Sequence, residues 1–310
     1  MFKRKKKSEV PEWAGIFNEQ EYIQFINAIE VYFTKKNIAF ELGDGILHLE
    51  ENNNIGLSSL GLRNLAQSCK LSGEKNFKKY ISGHFDSLAR SVEFNNELEK
   101  IVADFDKVKE YVGVRIYPID YASVIPQDQT IIKEIAGDII EVLIFDFPDS
   151  IINIRPDHTE HWGLSIDDLF DYGTSNMANK YSIEFFEDNI NGQSMWLITE
   201  DHFFSPNIIL NIDSYPHLIG RYGSVIGIPH RHTVIIYPIN DVEVIKGITN
   251  LIPIVKGLHD EGPGSISSNL FWYDGNGFEE LACKNENNKI HFYPTERFSN
   301  LLNDLSNETN

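Results

Sequence analysis

His230 and His232 have the spacing in this chain that best suits chemistry. Two positions apart on a strand, they face one side, adequate for two imidazole ligands of zinc or a similar metal, with Arg231 facing away. His158 and His161, three apart and flanked by Asp157 and Glu160, offer a second pair if they sit on a helical turn. Nothing in the sequence places the two pairs together. Such spacings are loose, so the plainer expectation is surface or hydrogen-bonded histidines, with no metal and no cofactor. The enzymatic alternative is a hydrolase at the end of a central strand, using His230, His232, Arg221 and Tyr222, with or without metal.

Other chemistries find less support. The run Leu218 to Ile226 is similar to the signature loop of KH domains, where a glycine-bounded loop lets backbone approach nucleic-acid phosphates. Yet Val225-Ile226-Gly227-Ile228-Pro229 favours a strand where a second helix should begin. A helix C-cap glycine followed by a turn is therefore expected at Gly220–Gly223, and RNA binding is a minor alternative. Neither Gly223-Ser224 nor Gly264-Ser265 forms a full nucleophile elbow, and Cys69 lies on a helical stretch without a histidine pattern nearby. No P-loop and no dinucleotide fingerprint occurs. Asp146, Asp149, Asp157, Asp167 and Asp168 are mostly explained as turn or first-turn helix residues.

These residues need elements to position them. The stretch Asn207–Asp241 is the most apolar and reads as a short helix, a turn at Gly220–Gly223, and a long buried strand broken at Pro229. Before it, Asn18 with Glu21 forms a capping box for a helix ending at Lys35-Lys36. A hairpin turns at Gly43-Asp44-Gly45, and Asn52-Asn53-Asn54 precedes a short strand Ile55–Leu57. Helices are expected over 60–70, from Glu74 to about Val92, and over about 96–111, ended by Gly113. His84 reads as a helix-surface histidine. Strands follow at 114–119 and 139–147, the latter paired with 151–154, then a short helix capped by Ser165. Two strands are expected at 182–187 and 195–199. A helix over about 242–258 is expected to kink or end early at Pro253. Strands at 270–273, 278–282 and 289–292 come before a polar, frayed tail at 306–310.

Strands cluster rather than alternate with helices, which predicts an α+β fold with mainly antiparallel sheets. Two lobes are expected, each a sheet with helices packed on one face: residues 13–120 and 131–305, after a basic tail over 1–12. The stretch Tyr121–Thr130, with Pro126, is the expected boundary.

At 310 residues and 42% hydrophobic content the chain buries sizeable cores. Its net charge of −19 repels phosphates and anionic lipid, and suits solubility or a basic partner. Two cysteines, Cys69 and Cys283, read as free thiols in a reducing cytoplasm. No run approaches the length of a membrane helix. Lys3–Lys7 lacks the apolar core of a signal peptide and reads as a mobile tail.

Several strings resemble the YtpQ-like family of uncharacterised bacterial proteins: Arg115-Ile116-Tyr117-Pro118, Trp162 leading into an acidic helix, Trp196-Leu197-Ile198-Thr199, Ile208-Ile209-Leu210, and Ile226-Gly227-Ile228-Pro229-His230. The resemblance spans about Ile38 to Trp272. It implies a cytoplasmic α+β protein and carries no activity or catalytic residues. Gly220-Arg221-Tyr222-Gly223 and the basic run depart from it. Together these features predict a non-enzymatic module that binds another protein, in a regulatory or immunity-type role. The candidate binding residues are Arg221, Tyr222, His230, Arg231, His232 and Trp162.

Overall fold

The computed structural model describes residues 10–50, 53, 57–148, 150–286 and 289–308. The basic run, most of the turn at 52–54 and the start of the strand expected at Ile55, Asp149, and the last two residues lie outside the described residues. The fold is α+β with antiparallel sheets. The chain divides into two compact units, Met1–Ile101 with Pro148–Ser150, and Val102–Phe147 with Ile151–Asn310.

In the first unit, α1 (Glu19–Lys36) begins as the capping box dictates: the Asn18 side chain accepts from the Glu21 N–H, and the Glu21 carboxylate accepts from the Asn18 N–H. Its stripe of Tyr22, Phe25, Ile29, Tyr32 and Phe33 is buried. Each such side chain contributes roughly 1.5–3 kcal/mol. Asn37 ends the helix in the left-handed region at φ 57°. The strands β1 (Phe40–Gly43) and β2 (Ile46–Leu49) pair around Asp44-Gly45, whose φ angles of 46° and 77° suit a two-residue hairpin turn. β3 (Ser59–Gly61) completes this three-stranded sheet. Helices α2 (Arg63–Ser72) and α3 (Phe77–Leu98) follow, and Phe77, Ile81 and Phe85 join α1 and the sheet in one core.

The second unit departs from expectation at its start. α3 runs on to Leu98, and the helix expected over 96–111 shrinks to α4 (Phe105–Val108). Gly113 does not end a helix. It lies within β4 (Val112–Pro118), where a side chain would meet Met177 Cε at 2.6 Å. The short α5 (Tyr121–Val124) leads to β5 (Ile132–Ala136) and β6 (Ile139–Phe147). β4 pairs with β6 along its whole length. The segment Tyr121–Thr130 is therefore a connection within one sheet, not a boundary between lobes. β7 (Ser150–Asn153) also pairs with β6. After α6 (Pro156–Thr159), Ser165 caps α7 (Ile166–Lys180), which is longer than its sequence signals indicate.

The larger sheet has seven strands in the order β14-β13-β12-β10-β11-β9-β8. β8 (Phe186–Ile190) and β9 (Gln193–Thr199) pair through Asn191-Gly192, both at positive φ, so the hairpin sits nearer the turn than 182–187 implied. A 3-10 segment, Ser205–Ser214, follows. The long strand expected to break at Pro229 is a hairpin. β10 (Ser224–His230) and β11 (Thr233–Pro238) pair around Arg231-His232, with Pro229 inside β10.

Helix α8 (Val244–Glu261) continues past Pro253, which is exposed on it. The strands β12 (Leu270–Tyr273), β13 (Phe278–Glu286) and β14 (Lys289–Tyr293) precede α9 (Glu296–Glu308), so Ser306 is helical rather than frayed. Alternate residues explain the apolar runs. Val225, Ile235, Tyr237, Leu270 and Trp272 meet α8 and α9, while Ile226, Ile236, Phe271 and Tyr273 pack with the 3-10 segment and with Ile116 and Ile139. Both faces are buried, so the strands read as continuous hydrophobic stretches. Among the described residues no helix is long and apolar enough to cross a membrane.

Candidate functional site

The residues singled out in Asn207–Asp241 separate to opposite ends of β10. Gly220 and Gly223 bond to each other's backbone, and the Arg221 N–H donates to Asn240. Gly223 has φ 84°, and the Tyr273 carbonyl occupies the space a side chain would need. Gly220 is equally closed in by the Ile239 backbone. These glycines allow close chain packing, and a strand, not a helix, follows at Ser224. Tyr222 donates to Glu308, and Arg221 lies over its ring.

His230 and His232 are about 20 Å along the strand from Ser224, at ~3.3 Å per residue. His230 ends β10 and His232 belongs to the turn, so they are not two residues of one strand, but their rings lie 6.1 Å apart. Arg231 does not point away either: its Nε donates to His232 Nε2 at 3.2 Å. His158 is buried in α6, where its Nδ1 accepts from the Arg155 N–H, whereas His161 is exposed. Among the described residues no three His, Cys, Asp or Glu side chains are grouped to hold a metal ion. Trp162 is buried beside Phe105, with its indole N–H donated to the Val102 carbonyl at 2.8 Å. It anchors the core instead of presenting a binding surface.

The second unit contains a cleft of about 410 Å³ lined by Lys133, Glu141, Phe170, Asp171, Ser175 and Asn211, among others. Glu141 sits in the middle of β6, directly opposite Lys133 on β5. Its side chain is 7% exposed, and Lys133 Nζ lies 3.7 Å from Oε1. Burial raises the Glu141 pKa. The Lys133 charge lowers it, and Asp171 and Asp167 raise it again. The Lys133 side chain is 47% exposed and passes over the Phe170 ring, so water screens much of its charge. A carboxylate is thus held at low dielectric inside a cleft, with incomplete compensation. Such an arrangement marks a functional-site candidate.

Sequence reasoning passed over Glu141. Its signal is a lone carboxylate in the apolar run Ile139–Phe147. Asp146 in the same run is also buried, but it is fully engaged: Lys180 Nζ and the Tyr181 hydroxyl both donate to Oδ2, at 2.5 and 2.6 Å. It is a strand residue, not a turn aspartate. The contrast identifies Asp146 as structural and leaves Glu141 facing the cleft. The chain matches no protein-family model, no curated protein and no solved structure.

Proposed function

We propose that this chain acts by binding another protein with a basic surface, in a regulatory or immunity-type role. The cleft lined by β5, β6 and α7 receives an arginine or lysine side chain of that partner. One observation carries the reading: the Glu141 carboxylate is buried in an open cleft and only part-compensated by Lys133 at 3.7 Å. An incoming cation supplies the charge that Glu141 lacks, and Asp171 adds to the attraction. The chain's net charge of −19 steers a basic partner toward it at low salt. The resemblance to the YtpQ-like family belongs to the same proposal, as does a reducing cytoplasm as the setting for Cys69 and Cys283, both free thiols.

The test uses an arginine-rich peptide titrated calorimetrically into the full chain. Glu141→Gln is expected to weaken binding about tenfold, the effect of losing one charge-assisted pair of roughly 1.4 kcal/mol. Glu30→Gln removes the same charge from an exposed position on α1 and controls for the overall field. Equal affinity of the two variants would refute the cleft as the receptor.

A further inference from the structure

Arg115 on β4 is a cation whose partners are missing. Among the described residues its side chain makes no ion pair, and its Nε is buried without a hydrogen-bond acceptor. A desolvated N–H without an acceptor is costly, so this position calls for one. Its surroundings are aromatic. The guanidinium carbon lies 4.7 Å from the Tyr117 ring centre and 5.3 Å from that of Phe203, and Tyr117 stacks on Tyr121 at 4.0 Å. Arg231 approaches the same Phe203 ring at 4.2 Å. Two guanidinium groups therefore share one ring in a strongly acidic protein.

The adjacent histidines do not add to this charge. His232 Nε2 accepts from Arg231 Nε, so Nδ1 carries the proton and donates to the Glu200 carbonyl at 2.9 Å. The His232 backbone N–H donates to His230 Nδ1 at 3.3 Å, which fixes that ring as neutral too. Their geometry holds the arginines in place. Arg115 and Tyr117 flank Ile116, the cross-strand partner of Glu141. Strand alternation therefore puts this cluster on the other sheet face from the Glu141 cleft.

We infer that Arg115 and Arg231, bracketing Phe203, form a receptor for a small oxyanion, a carboxylate or phosphoryl group of a low-molecular-weight ligand. The oxyanion accepts from the Arg115 guanidinium fork, whose planar donors match both groups, and supplies the missing acceptor. The aromatic rings limit water around the pair and strengthen it. This site is independent of the proposed protein-binding cleft.

The test titrates inorganic phosphate and benzoate separately into the full chain at constant ionic strength, with chloride as reference. Arginine N–H and imidazole C–H resonances are followed by NMR. Saturable binding by either anion at millimolar concentration is expected. Saturation by phosphate alone assigns a phosphoryl ligand, by benzoate alone a carboxylate, and by both the shared oxyanion chemistry. Arg115→Lys keeps the charge, loses the fork, and should weaken binding about tenfold. Its amide spectrum verifies folding. Arg63→Lys, exposed on α2 of the first unit, should leave binding unchanged. Shifts that fail to saturate, or equal affinity in Arg115→Lys and the parent, overturn the inference.

Discussion

Replacing Lys133 with Met tests the reading of the cleft most directly. Met keeps much of the stem over Phe170 and removes the charge. At the observed 3.7 Å, two unit charges attract by about 4.5 kcal/mol at an effective dielectric of 20, and by about 1.1 kcal/mol in bulk water. Lys133 is half exposed and Glu141 is buried, so the pair lies between these limits, and a loss of about 2 kcal/mol is expected near neutral pH. The reverse change is milder. Glu141→Gln leaves a half-exposed lysine still paired with Asp167 at 3.7 Å and no buried charge, so it should fall within about 1 kcal/mol of the parent. The double variant should recover most of the Lys133→Met loss.

The pH dependence fixes the sign. Burial holds the folded Glu141 pKa above the ordinary glutamate range, so the folded state binds more protons in that window. Stability then falls as pH rises through the folded pKa. Lys133→Met should steepen this fall, while its cost should vanish below about pH 4, where the carboxyl is protonated in both states. Urea denaturation followed by tryptophan fluorescence in a Trp13→Phe background reports on the second unit, because Trp162, Trp196 and Trp272 lie there and Trp13 lies in the first. The reasoning fails if Lys133→Met is as stable as the parent at pH 7, or loses as much at pH 4.

Gly223→Ala should cost at least about 2 kcal/mol, because it combines a left-handed φ of 84° with a clash against the Tyr273 carbonyl. Thermal melts of Gly223→Ala beside Gly277→Ala, where space is open, check this. Burial above all, with the neighbouring Arg231 charge, holds the His230 pKa down to about 4. The unfolded state then binds more protons between about pH 6.5 and 4, so His230 should draw off up to about 3 kcal/mol as pH falls through that range. His230→Gln should flatten the acid limb of the stability profile, read from urea midpoints at matched pH.

Where local chemistry decides, the fold was legible in the sequence. The Asn18–Glu21 box starts α1, and Asp44-Gly45 turns the first hairpin. Long-range pairing left weaker traces. Arg231-His232 turns the β10–β11 hairpin without Gly, Asn or Asp, so the run Ser224–Pro238 read as one interrupted strand. His230 and His232 still come together across this turn, with their rings 6.1 Å apart, whereas Arg221 and Tyr222 lie a strand's length away. Pro229 does mark an irregularity, since the β10–β11 register shifts between Gly227 and His230, but β10 continues through it, and α8 does not end at Pro253. The candidate site shows the same division. Glu141 stands out once a carboxylate within an apolar strand is treated as a question. Lys133 does not, because only the antiparallel register of β5 on β6 sets it opposite Glu141. A charge pair of this kind is a property of pairing geometry. Its members need not be close in sequence or alike in pattern, so it emerges only when the two strands are laid side by side.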